Sequence, residues 1–299
     1  MGRASLQWLV RDVRDAVRSI LWLRMPGTSC LICDGTSHLR EHGGSWFREC
    51  TRCGYAELAN SDSAREYWGS HDDDSGGDDD YWVRRRRHYF DSALQLFEGL
   101  TSGRRLVDVG GGIGFFAERA IDRGWDAYSL DVSPIATRAA SSRLGVERAV
   151  TSLSAHDERS FDLVTMWCVI AHTTRPDELA RVCASYLRPG GVCWVTTPNF
   201  RFQKPYASIR ARLGRRLNFA ADDHVGHFTP AAATRLMRNA GLIDVRFHFR
   251  GITETCVVAG SSSRVLVEAK RMWNLGASQL VRLNRPGLMS ELQVTARRP

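Results

Sequence analysis

The sequence predicts an α/β protein built on a mostly parallel, seven-stranded sheet with helices on both faces, preceded by a small cysteine-bound module. Three observations lead there. Short apolar runs alternate with helical patterns from Arg104 onward, a glycine-rich turn joins the first run to the helix after it, and two Cys-x-x-Cys pairs lie near the N-terminus.

Residues 5–24 place Leu6, Leu9, Val10, Val13, Val17, Ile20 and Leu21 at helical spacing, with Arg11, Arg14 and Arg18 largely opposite. The reading is a basic amphipathic helix within 1–27, stopped by Pro26 and Gly27. A cysteine module follows at 28–60, then a linker at 61–83 whose aspartates and glycines precede the run Arg84–Arg87. The main domain is expected at 84–299. It opens with a helix through Leu100 and continues with strands at 106–109, 126–130, 146–151, 161–167 and 192–196. Helices are expected at 114–123, 134–143 and 176–187. A helix at 230–240, a strand at 242–249, a helical insertion at 262–283 and a strand at 292–296 complete it.

Length fits one α/β domain with an appendage, and no apolar run is long enough to span a membrane. No signal peptide is legible, so the expected location is the cytoplasm; the helix within 1–27 and the Trp273–Leu283 region suit peripheral contact at the inner membrane face. The net charge of +8 is a weak argument for nucleic acid, because lysine occurs only at Lys204 and Lys270. Such an arginine skew follows from GC-rich coding as readily as from phosphate binding.

Cys30, Cys33, Cys50 and Cys53 form two pairs with the spacing of a four-thiolate zinc site. Such a closed site is structural, and metal binding would supply folding energy of about 10–16 kcal/mol to a module too small for a core. Cys168, Cys183, Cys193 and Cys256 lack paired spacing and read as core residues.

Asp108-Val109-Gly110-Gly111-Gly112-Ile113-Gly114 lies between a strand and a helix, where glycines permit a tight turn and close approach of a ligand to the backbone. Asp131 ends the next strand, the place of a ribose-binding carboxylate. A nicotinamide dinucleotide pattern also fits Gly112, Gly114 and Ala117.

Over roughly residues 85–250 the chain resembles class I, Rossmann-like S-adenosylmethionine-dependent methyltransferases of the small-molecule kind. The resemblance runs through five blocks in family order: "LVDVGGGIGFFAERA", "SLDVSPIA", "SFDLVTMWCVIAH", "LRPGGVCWVTTPN" and "HFTPAAATRLMRNAGL". Nicotinamide dehydrogenases do not share that set. It implies cofactor contacts at Asp108, Gly110, Gly112, Gly114, Asp131 and Val132, and at Trp167 and Cys168 at the fourth-strand end; Leu153 is the candidate adenine contact. The sequence departs from the pattern where Ala171, not Glu, precedes His172, and where Thr151–Ser160 is short.

For a hydroxyl acceptor the candidate general bases are His227, then His224, then His172, with Asp222 and Asp223 nearby. The expected acceptor is a small hydroxylated molecule, sugar or glycan intermediate, lipid-linked if the N-terminal helix meets a membrane. Methylation is expected on oxygen or carbon, in polysaccharide or natural-product biosynthesis. An RNA methyltransferase gripping its substrate with the ribbon is the alternative. It lacks an aromatic-basic RNA module and an Asn/Asp-Pro-Pro-Tyr type signature. A non-catalytic cofactor-binding domain is the third reading, disfavoured by the intact glycine loop.

Overall fold

The computed structural model describes residues 29–59, 79–153, 157–214, 219, 224–249, 272–273, 275–276, 279 and 286–299, with backbone alone at 79–86. The amphipathic helix expected within 1–27, Asp222, Asp223, Cys256 and most of the insertion expected at 262–283 lie outside those residues.

The main sheet contains β4 (Arg105–Val109), β5 (Asp126–Leu130), β6 (Ala149–Val150), β7 (Phe161–Trp167), β8 (Leu187–Pro198), β10 (Ile243–Phe247) and β11 (Glu291–Arg297). Their order is β10-β11-β8-β7-β4-β5-β6. All neighbours from β8 to β6 run parallel, and β11 runs antiparallel to both β8 and β10. A parallel sheet covered on both sides needs apolar residues facing both ways. Accordingly Leu106 and Leu163 pack with Phe97 and Trp194 on one face, while Val107, Val164 and Met166 pack with Leu236 and Met237 on the other.

The covering helices are α1 (Asp79–Leu100), α2 (Phe115–Asp122), α3 (Pro134–Leu144), α4 (Pro176–Tyr186), α5 (Phe200–Arg212) and α6 (Pro230–Asn239). Ser133 and Thr229 cap α3 and α6 by accepting the backbone N–H three residues on, and each cap is followed by proline.

Four elements differ from expectation. Helix α1 begins at Asp79, inside the expected linker. The third strand shrinks to Ala149–Val150 at the sheet edge. Strand β8 starts at Leu187, because Leu187 pairs with Phe161 and the Pro189-Gly190-Gly191 turn becomes an irregularity within the ladder. Helix α5 was not foreseen, since its sequence is polar and contains Pro205. Asn199 starts it by accepting the Arg201 N–H while donating to carbonyls at Pro286, Gly287 and Met289.

The cysteine module forms β1 (Ser37–His42), β2 (Ser45–Cys50) and β3 (Ala56–Leu58), and a fourth strand is added from the main domain. That strand is β9 (Gly226–His227), antiparallel to β3 with Ala56 opposite His227. The module is therefore built into the main domain rather than strung ahead of it. Asn239 Nδ2 donates to the Ile32 carbonyl at 2.6 Å, Lys204 pairs with Glu49, and Thr229 Oγ1 donates to the Cys53 carbonyl at 2.5 Å. Among the described residues, no helix is long and apolar enough to cross a membrane.

Thr229 serves two elements, as the cap of α6 and as donor to the module. Thr229→Val should lower stability by about 1–2 kcal/mol in urea titration; an unchanged midpoint would remove it as the joint between them.

Candidate functional site

The glycine loop is shaped by what surrounds each glycine. A Cβ on Gly110 would lie 2.4 Å from the Val169 side chain, which presses the turn after β7 against the loop. Gly114 ends the loop at the N-terminus of α2 and packs on Leu144. Gly112 has φ +56°, and the space where its Cβ would stand is open. Backbone at that point can be approached closely by a ligand.

Two carboxylates fix the loop. Asp131 Oδ2 accepts the Gly112 N–H at 2.8 Å, and Oδ1 accepts the Ser133 N–H at 2.9 Å. Burial raises the pKa of Asp131 above the usual carboxylate range despite those donors. Asp108 is fully buried beneath the loop and accepts from Thr165 Oγ1 at 2.6 Å. Burial pushes its pKa up to about 8, the Thr165 hydroxyl opposing that rise. Val132 is exposed beside Asp131, and Leu153 is buried near the edge strand. Trp167 packs its ring against Tyr89, Phe90 and Phe116.

The three histidines do not stand together as equals. Cys168 follows β7 in a left-handed conformation with φ 66°, and its N–H is held by the carbonyl and hydroxyl of Thr196. One 3₁₀ turn later comes His172, whose ring centroid lies 4.6 Å from that of His224. His224 Nε2 is 3.3 Å from Cys168 Sγ. His227 lies deeper, ringed by Phe47, Phe200 and Phe219 at centroid distances of 5.1, 5.2 and 5.6 Å. Its Nε2 is buried without a hydrogen-bond partner among the described residues. Burial pushes the pKa of His227 down to about 4, and burial followed by the neighbouring histidines drives that of His224 well below its ordinary value. Both imidazoles are neutral near pH 7.

Of the three candidate bases, the structure places His172 one turn after β7 with His224 against it, and His227 deeper among phenylalanines. Sequence reasoning missed the partnership of Cys168 with His172 and His224; the separation from His172 by one short turn was the available signal. It also missed Phe47, contributed by the cysteine module to the wall around His227.

The four module cysteines are buried and free. Cys30 Sγ lies 3.6 Å from Cys53 Sγ, Cys33 Sγ lies 3.4 Å from Cys50 Sγ, and all four sulfurs fall within 4.8 Å of one another. Sulfurs 2.3 Å from a tetrahedral ion would be about 3.8 Å apart, so the set fits Zn²⁺. The Ile32 N–H points at Cys30 Sγ, and the Arg52 and Cys53 N–H groups point at Cys50 Sγ, as electron-rich thiolates require. The Cys53 thiol donates to Cys30 and, against the effect of burial, pushes its pKa down to about 5. A separate cavity of about 460 Å³ lies beside this module, lined by Cys33, Arg52, Arg235, Arg238 and Phe247, and does not include the glycine loop.

Residues 81–246 match the methyltransferase domain family, more than half of the chain. The protein belongs to that family. Among similar proteins is the ubiquinone biosynthesis O-methyltransferase of Cupriavidus pinatubonensis, 33% identical over 165 residues, 51% of this chain and 64% of that protein. The ubiquinone biosynthesis O-methyltransferase of an Azoarcus species is 30% identical over 151 residues, covering 47% of this chain and 65% of its own. The chain thus spans just under two thirds of these relatives. A solved S-adenosylmethionine-dependent methyltransferase from Mesorhizobium loti is 23% identical, covers 69% of this chain and 96% of its own, and superposes with a TM-score of 0.42.

A carboxyl whose folded pKa lies above its unfolded value contributes stability that is complete below the unfolded pKa and lost as pH rises through the folded one. For Asp108 that window runs from the usual carboxylate range up to about 8. Without cofactor, Asp108→Asn should therefore melt higher than the parent at pH 8 and equally near pH 4. Calorimetry should show at least a tenfold loss of S-adenosylhomocysteine affinity. Equal melting temperatures at both pH values would exclude a buried charge at this position.

Proposed function

We propose that the protein is an S-adenosylmethionine-dependent O-methyltransferase acting on a small hydroxylated molecule, and that its cysteine module is a zinc ribbon bracing the acceptor side of the active site. The observation that carries the reading is the pairing of Asp131 with an open Gly112, a carboxylate and a bare stretch of backbone in one strand-end crevice.

S-adenosylmethionine, when bound, supplies an electrophilic methyl on a sulfonium. Asp131, fixed by two backbone donors, would accept from its ribose hydroxyls, and the open backbone at Gly112 would leave room for its amino-acid end. Asp108 holds the loop from beneath. Positioning of this kind accounts for as much as ~7–11 kcal/mol of a barrier. His172, one turn after β7, and the neighbouring His224 are the groups that activate the acceptor hydroxyl. His227 acts as wall rather than base in this reading, because its ring is enclosed by three phenylalanines.

Transfer to oxygen is favoured because the curated relatives are named as O-methyltransferases. A sugar or glycan intermediate offers the same hydroxyl chemistry, but names referring to ubiquinone biosynthesis lend no support to a polysaccharide pathway. In the ribbon, four thiolates would hold Zn²⁺ with no open position, so the ion folds the module and takes no part in transfer.

The test uses the zinc-loaded full chain, methyl-labelled S-adenosylmethionine and a bacterial extract separated into RNA, lipid and small soluble fractions. Label should appear as a base-stable methyl ether in the soluble or lipid fraction. Label confined to RNA, or no label despite cofactor binding, would overturn the proposal. For the ribbon, Cys50→Ser/Cys53→Ser should release one zinc per chain and slow turnover at least tenfold. Unchanged zinc content would exclude the tetrathiolate site.

A further inference from the structure

We propose that Cys168, His172 and His224 form a second metal site, binding Zn²⁺ or a similar divalent transition metal with one position left open for the acceptor oxygen. This deepens the proposed function and rests on it for the acceptor, though the metal site itself is testable without any transfer.

The three ligand atoms lie within 4.8 Å of one another, and Cys168 Sγ is 3.3 Å from His224 Nε2. A tetrahedral ion at about 2.3 Å from sulfur and 2.1 Å from nitrogen sets such a pair about 3.6 Å apart. The observed pair is a few tenths of an ångström from that spacing. Three nitrogen and sulfur ligands with a fourth position for water or substrate are the plan of catalytic zinc sites.

The backbone beneath the ligands is held from several sides. The Cys168 N–H is held at 3.1 Å by the Thr196 carbonyl and at 3.0 Å by its hydroxyl. The Val225 N–H donates to the Ala171 carbonyl at 2.8 Å, and the Val225 carbonyl accepts the Leu58 N–H at 3.1 Å. The segments carrying His172 and His224 are thus joined directly, and the ribbon is joined to both. Cys168 adopts φ 66°, a conformation that a residue with a Cβ keeps only where its surroundings enforce it, and such residues gather at ligand sites. Val169, next in sequence, is the residue packed on Gly110, so the cluster adjoins the cofactor loop.

An acceptor hydroxyl at the open position would lose its proton more readily, as water does on zinc. The proton passes to solvent, an oxygen lone pair forms the bond to the methyl carbon, and the carbon–sulfur bond breaks with its electrons retained by sulfur. The products are a methyl ether, S-adenosylhomocysteine and one proton, and neither metal nor thiolate changes oxidation state.

The test is metal stoichiometry on the full chain, loaded with Zn²⁺ or Co²⁺ and dialysed free of excess, measured by elemental analysis. The parent should retain two ions per chain. Cys168→Ser/His224→Gln should retain one, with a far-ultraviolet circular dichroism spectrum like the parent's. In the Co²⁺ form the visible bands lost with that variant should be those that shift when a hydroxylated acceptor analogue such as catechol is added. An ion count equal in parent and variant would overturn the site and leave a hydrogen-bonded cluster only. A parent chain with two ions that methylates nothing would sink the proposed function but not the metal site. Methyl transfer by a parent whose ion count the variant keeps would do the reverse.

Discussion

The constraint on which the site depends is the addition of β9 to the edge of the ribbon. Two residues of the main domain, Gly226 and His227, complete a sheet whose other strands come from residues 37–58. Their ladder fixes residues 224–229 ahead of α6, and hence the position of His224. Val225 makes the connection three-way, since its two backbone groups reach Leu58 on the ribbon and Ala171 after β7. A backbone donor or acceptor left unpaired in a buried place costs about 1–3 kcal/mol. Moving the ribbon would expose that cost at both ends of the chain of bonds.

In the proposed function the cofactor and acceptor sides are built on different principles. The cofactor side is carried by the parallel sheet: β4 and β5 deliver Asp108 and Asp131 at their carboxyl ends, and the glycines between β4 and α2 bring backbone within reach of a ligand. The acceptor side comes from the turn after β7, the segment before α6 and the ribbon. Phe47 from the ribbon meets Phe200 and Phe219 from the main domain around His227, so one apolar cluster spans both parts. The two sides touch where Val169 meets Gly110.

Much of this was legible in the residues. The glycine loop, Asp131 and the strand-helix alternation carry strong local signals, because turn geometry and apolar periodicity act over a few residues. The cysteine pairs announced a tetrathiolate cluster by spacing alone, and the four sulfurs do converge. What could not be read was long-range pairing. Nothing around Gly226–His227 marks a strand, since two residues carry no period, and their pairing with Ala56 and Glu57 is decided by the fold. Helix α5 escaped for another reason: packing of Phe200 and Ala207, not periodicity, holds a polar and proline-containing stretch helical. That His227 lies deeper than His224 was not legible either, because depth along a short strand is a tertiary property.

The ribbon's completion by a late strand has a consequence for how the chain is made. During synthesis, residues 37–58 emerge long before Gly226 and His227, so the three-stranded ribbon meets the cell with the β3 edge open. An open strand edge is a template for pairing with other chains. Three features limit that hazard: β3 is only three residues long, Glu57 places a charge on it, and zinc would lock the fold early. The edge closes only when β9 pairs with β3, a contact between residues far apart in the chain. If the module holds zinc as proposed, its folding depends on metal supply during synthesis, before any methyl donor is needed.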